Sequence, residues 1–104
     1  MTNASVLLDA LAEPTRRTIL ERLVDRPAAV SDLAKDLPIT RSAVSQHLQI
    51  LKSVGLVSDR AVGTRRIYTV EPDAVAIIRA YFDAFWTRSL AAFRDAAEQQ
   101  PEDT

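Results

Sequence analysis

The chain has 104 residues, no cysteine and only two glycines, which fits one folded domain with a modest core and excludes a disulfide framework, thiolate metal sites and a thiol nucleophile. No charged-then-apolar leader and no apolar run of membrane-spanning length is present, so the sequence reads as cytoplasmic. The net charge of −1 hides an asymmetry: residues 31–70 carry six basic groups against three acids, between a balanced segment 1–30 and an acidic segment 71–104.

The first predicted helix, α1, centres on Val6, Leu7, Leu8 and Leu11. Glu13 and Pro14 open α2, because proline lacks only an N–H that the first helical position leaves unpaired. Ile19, Leu20, Leu23 and Val24 recur at helical spacing until Pro27 stops the run. Arg16 and Arg17 are expected to pair with acids such as Glu13 or Glu21. In α3, Val30, Leu33, Ala34 and Leu37 share one face, with Ser31 as the expected N-cap and Pro38 as the stop. This helix is too short to persist without packing.

The stretch "TRSAVSQHLQILKSVGLV" follows. Thr40 is the expected N-cap of α4, Val44, Leu48 and Leu51 its core stripe, with Ala43, Ile50 and Val54 beside it, and Gly55 its left-handed stop. "LVSDRAVGTRRIYTV" then changes period: β-branched and aromatic residues surround a Gly63–Thr64 turn, which predicts a hairpin of two strands, β1 and β2. A two-stranded ribbon needs helices to pack on. Asp73 is expected to cap a long last helix, α5, running to about Glu98, and residues 99–104 are expected to fray.

Helix α5 carries a broad stripe of Val75, Ile78, Phe82, Phe85, Trp86, Leu90 and Phe93, with Ile77 and Tyr81 elsewhere on its circumference. A helix apolar on more than one face has more than one surface to bury, and a second copy of the chain is the economical partner. The alternative is one wide core face.

On α4, Arg41, Ser42, Ser45, Gln46, Gln49, Lys52 and Ser53 fall opposite the core stripe. Amides and hydroxyls suit base edges, and a solvated helix has no need of them. Thr40 and the first-turn N–H groups suit a phosphate. His47 lies at the edge of the apolar side and has no metal-binding or catalytic partner nearby. Arg60, Arg65 and Arg66 flank the hairpin tip. Each is an ordinary surface residue when taken alone; together with the helix pair they describe a DNA-binding winged helix-turn-helix, mainly α with a β-hairpin.

"LDALAEPTRRTILERL", "TRSAVSQHLQILKSVGLV" and "GTRRIYTVEP" resemble the ArsR/SmtB family of winged-helix repressors, over about residues 5–95. The chain is similar in particular to actinobacterial members and to the cysteine-free, SdpR-like branch. The resemblance implies the order α1-α2-α3-α4-β1-β2-α5, a homodimer through α1 and α5, and a palindromic double-stranded operator. It places Ser42, Ser45, Gln46 and His47 at recognition positions and Arg65 and Arg66 in the wing. Leu7, Leu8, Leu11, Ile78, Tyr81, Phe82, Phe85, Trp86 and Leu90 are the interface residues expected on this basis.

Many members of that family sense metals. Here "AAVSDLAKD" lacks the thiolates, and "EPDAVAIIRAYFDAF" offers Asp73 and Asp83 without histidine, so neither metal site nor any cofactor is expected. Regulation is left to protein level, to an apolar ligand, to a partner protein, or to modification. A phosphate on Ser42 or Ser45 would repel DNA, so Ser45→Glu is expected to weaken operator binding. The competing readings are a winged helix used for protein interaction and an enzyme. The first normally loses base-reading amides, and the second lacks a nucleophile–base pair and a phosphate loop.

Overall fold

The computed structural model describes residues 3–99. It contains α1 (Ala4–Ala10), α2 (Pro14–Asp25), α3 (Val30–Asp36), α4 (Arg41–Ser53), β1 (Val57–Val62), β2 (Arg65–Val70) and α5 (Pro72–Gln99). This is the predicted order, and the two strands form one antiparallel sheet.

Local chemistry sets most boundaries. Asn3 caps α1 by accepting the Val6 N–H at 3.1 Å, so the helix begins earlier than its apolar residues suggest. Glu13 does the same for α2, accepting from Arg16 N at 2.9 Å, with Pro14 in the first turn. Thr40 caps α4 through the Ala43 N–H at 3.1 Å. Gly55, at φ 87°, ends α4 in the expected left-handed conformation. There Gly55 N donates to Lys52 O and Leu56 N to Leu51 O, the paired bonds that satisfy the last carbonyls of a helix.

Two predicted caps are replaced. Ser31 lies inside α3, whose N-cap is Ala29, and the Asp32 carboxylate accepts the Ala29 N–H at 3.0 Å. Asp73 lies in the first turn of α5 rather than before it, because Pro72 already occupies a helical position. The expected fraying of residues 100–104 lies outside the described residues, and Gln99 is still helical.

Leu7, Ile19, Leu33, Val44, Leu48, Leu51 and Leu56 are fully buried and form one core with Val57, Tyr68 and Ala74. Helix α3, only 7 residues long, is held by Leu33 and by Arg22, whose Nε donates to Asp36 at 2.8 Å. Arg16 pins α1 to α2 through the Ala10 carbonyl at 2.6 Å, so its partner is a main-chain oxygen and not the acid expected from sequence. Leu7 is covered inside its own chain, which removes it from the outward surface on which it was placed. Val24 and Ile50 turn outward.

The hairpin pairs Val62 with Arg65 across Gly63 and Thr64. Gly63 has φ 64° and no other residue type in the chain adopts positive φ among the described residues, which is the signature of a tight II′ connection. Tyr68 exchanges two backbone hydrogen bonds with Ala28, at 2.8 and 3.1 Å. The loop between α2 and α3 thus adds one residue of a third strand and fastens the ribbon to the helix pair. Helix α5 packs on α1 near its start and then runs on alone. The radius of gyration is 19.0 Å and the long axis 72 Å, against about 13 Å for the radius of a compact chain of this size.

Candidate nucleic-acid interface

The outward face of α4 is built by its three buried anchors, Val44, Leu48 and Leu51. With those fixed, Arg41, Ser42, Gln46, Gln49 and Lys52 are exposed, while Ser45 and His47 are half-buried at the flanks. Ile50 is 42 % exposed between Gln46 and Ser53 on this same face. Sequence reasoning had set it beside the core. Its position four residues after Gln46 and three before Ser53 was the signal that it faces outward.

The hairpin stands beside the N-terminus of α4. Ala29, Val30, Ser31, Arg41, Thr64, Arg65, Arg66 and Tyr68 line an open cleft of about 330 Å3 between α3, α4 and the ribbon. Arg41 and two wing arginines therefore converge on one concave surface, together with the hydroxyl-bearing Ser31 and Thr64.

The three wing arginines do not behave as one cluster. Strand register puts Val57, Asp59 and Ala61 on one face with Arg66, Tyr68 and Val70, and puts Arg60 on the other. Arg66 Nε donates to Asp59 Oδ2 at 2.6 Å. Lys52, from the last turn of α4, reaches Asp59 Oδ1 at 2.9 Å. Arg65 donates to Asp32 of α3. Arg41 and Arg60 make no ion pair among the described residues. Three of the cations expected from sequence to meet DNA are thus matched with carboxylates of the same chain, and Asp32 and Asp59 were missed. Asp59 was legible once a two-residue turn was assumed, because that register sets it diagonal to Arg66. Asp32 depends on tertiary packing and left no sequence signal.

These contacts bias protonation. Hydrogen bonds from Lys52 and Arg66 hold the Asp59 carboxyl below its ordinary range, and Asp59 in turn raises Arg66. The Ala29 N–H, and then Arg65, lower Asp32. The Arg16 N–H lowers Glu13. His47 Nδ1 is buried without a hydrogen-bond partner among the described residues, 3.8 Å from Glu13 Oε2. It faces the start of α2 and not the outer face of α4, so its Nδ1 atom is turned away from the base-reading surface. No group of three or more His, Asp and Glu side chains is gathered for a metal ion among the described residues. No helix among them is long and apolar enough to cross a membrane.

The remaining expected residues lie far from this surface. Tyr81, Phe82, Phe85, Trp86 and Leu90 are exposed along α5, and Phe93 is exposed further on. Leu8, Leu11 and Ile78 are half-buried, and Leu11 and Ile78 pack against the core.

Comparison with known proteins agrees with this geometry. Residues 13–59 match the model of the bacterial regulatory protein, arsR family. The HTH-type transcriptional regulator Rv2034 of Mycobacterium tuberculosis is 50 % identical over 95 residues, covering 91 % of this chain and 89 % of that one. The transcriptional repressor SdpR of Bacillus subtilis is 34 % identical over 61 residues, 59 % of this chain and 68 % of that one. The solved structure of an ArsR-like transcriptional regulator from Rhodococcus sp. RHA1 superposes with a TM-score of 0.75 at 31 % identity, covering 93 % and 94 % of the two chains. With the helix pair, the wing and these relatives in agreement, the chain belongs to the ArsR family of bacterial regulatory proteins and is a DNA-binding transcriptional regulator.

Proposed function

We propose that the chain works as a homodimeric repressor of its own or neighbouring genes in the cytoplasm, with no catalytic step. The observation that carries this reading is the outward face of α4: Arg41, Ser42, Gln46 and Gln49 are exposed, and no ion pair engages Arg41 among the described residues. Gln46 and Gln49 offer the paired donor and acceptor that adenine presents in the major groove, Arg41 the fork that guanine accepts, and Ile50 an apolar contact for a thymine methyl. Ser42 and Ser45 supply adaptable hydroxyls at the first turn. The free N–H groups there, next to the cap made by Thr40, and the side chains of Arg60, Arg65 and Lys52 supply phosphate contacts.

Dimerisation is supported by the outer face of α5. Tyr81, Phe82, Phe85, Trp86 and Leu90 are exposed on a helix that projects past the rest of the chain. Soluble monomers rarely leave such a run in water. Leu8, Leu11 and Ile78 stay half-buried and α1 packs on α5, which supports a contact formed by the two helices together. Two α4 helices then enter successive major grooves of a palindromic site, about 34–36 Å apart. A dimer seated on a promoter excludes polymerase.

The test is binding of the purified protein to its own upstream DNA and to a scrambled duplex across a salt series. Selective binding with a steep salt slope is expected. Equal affinity for both duplexes at every salt concentration would remove the base-reading role of α4.

A further inference from the structure

We propose that Asp59 is a positioning residue for DNA recognition, one that locks the wing to the C-terminal turn of the recognition helix; this rests on the DNA-binding reading above. Its side chain is only 6 % exposed, and each oxygen serves a different element. Oδ1 receives Lys52 Nζ from α4 at 2.9 Å, and Oδ2 receives Arg66 Nε from β2 at 2.6 Å. The carboxylate sits on the inward face of the ribbon, opposite Tyr68, whose backbone is itself bonded to Ala28. The wing therefore has three attachments: a main-chain one to the loop before α3, a side-chain one from Arg65 to Asp32 of α3, and a side-chain one to α4 through Asp59.

An acid in a phosphate-binding surface is a liability unless it does something that a neutral residue cannot. Asp59 lowers the positive potential that attracts any DNA. In exchange it fixes the angle between the two elements that must enter neighbouring grooves. The cations it holds remain reachable, at 45 % and 59 % side-chain exposure, while the carboxylate is covered. A phosphate approaching this surface meets two cations already placed and an acid it does not touch. The structure thus favours discrimination over raw affinity.

Asp59→Asn separates these effects, because it removes the charge at constant size. In the DNA-free protein, hydrogen exchange at the wing amides of residues 61–66 should accelerate, while exchange in α2 stays unchanged. On DNA, affinity for random duplex should rise. The salt slope should steepen by up to about 1.8, with about 0.9 for each of the two released cations. The ratio of operator to random affinity should fall about tenfold, the size of one lost charge-assisted contact. Asp59→Glu, which keeps the charge, should restore slope and ratio in part. Unchanged wing exchange in Asp59→Asn overturns the proposal whether or not the wild-type protein selects an operator. Equal weakening on both duplexes with accelerated exchange throughout the chain also overturns it, since that marks general loss of folding. If the wild type shows no selectivity, the repressor reading fails by itself, and the exchange comparison still decides the role of Asp59 in holding the wing.

Discussion

Trp86→Ala isolates the outer face of α5. Trp86 is 59 % exposed, so truncating it leaves the core of the chain untouched, and alanine is a better helix former. An aromatic side chain buries about 150–250 Å2 when fully covered, so the exposed share here is about 100–150 Å2. A two-fold interface counts it twice, giving about 200–300 Å2 per dimer. At about 25 cal/mol per Å2 this corresponds to about 5–7 kcal/mol of dimer stability. If neighbouring Phe85 and Leu90 recover half of that by repacking, the dissociation constant still rises about a hundredfold. Sedimentation over a concentration series measures it directly, with circular dichroism to verify that helix content is retained. The same variant should bind a half-site normally and a full palindrome poorly. A dissociation constant unchanged within about threefold, or a wild-type chain that is monomeric at every concentration, would refute the assignment of this face to a second copy.

On the outward face of α4, Gln46→Ala should cost about 1–3 kcal/mol on the operator and little on random DNA; equal losses on both would show that Gln46 does not read a base. Arg60, on the outer face of the ribbon and without an ion pair among the described residues, should behave differently. Arg60→Ala is expected to weaken both duplexes alike and flatten the salt slope by about 0.9, and a preserved slope would place Arg60 away from phosphate. Glu13 gives a pH signature. Its carboxyl is lowered by the Arg16 N–H, so its contribution to stability is present above the ordinary glutamate pKa and is lost as pH falls through the lowered one. The melting-temperature gap between wild type and Glu13→Gln should therefore be full at neutral pH and close in acid; a gap that stays constant through the acid range contradicts the cap's ionic character.

The fold was legible because its signals are local. Thr40 and Gly55 bracket α4 by chemistry that needs no tertiary information, and the Gly63–Thr64 turn dictates strand register. The failures are of two kinds. Ser31 is a sound N-cap by type, yet α3 starts one residue before it, because Asp32 reaches back to the Ala29 N–H. Arg16 was given an acid because charges suggest charges, and it found the carbonyl that closes α1. Leu7 shares an apolar run with Leu8 and Leu11, and only packing distinguishes the residue that is fully buried from the two that stay half-buried. In the first two cases a backbone group three or six residues away displaced the expected partner, and in the third only packing chose among residues that were locally equal.

The site shows the same division with a sharper consequence. Composition counts six basic groups in residues 31–70, and a count treats them as equal. The structure sorts them by partner. Arg41 and Arg60 stand without ion pairs among the described residues, Arg65 is drawn back onto α3 by Asp32, and Lys52 and Arg66 are joined through Asp59. A paired cation must exchange a carboxylate for a phosphate or share itself between them, so it yields less electrostatic gain on binding than an unpaired one. The salt dependence should therefore be set first by Arg60, while Arg41 is committed to a base edge. Geometry should be set by the paired residues, which hold the recognition helix and wing in register before DNA arrives. On this surface, the acids that lower its net charge are also the groups that give its cations fixed positions.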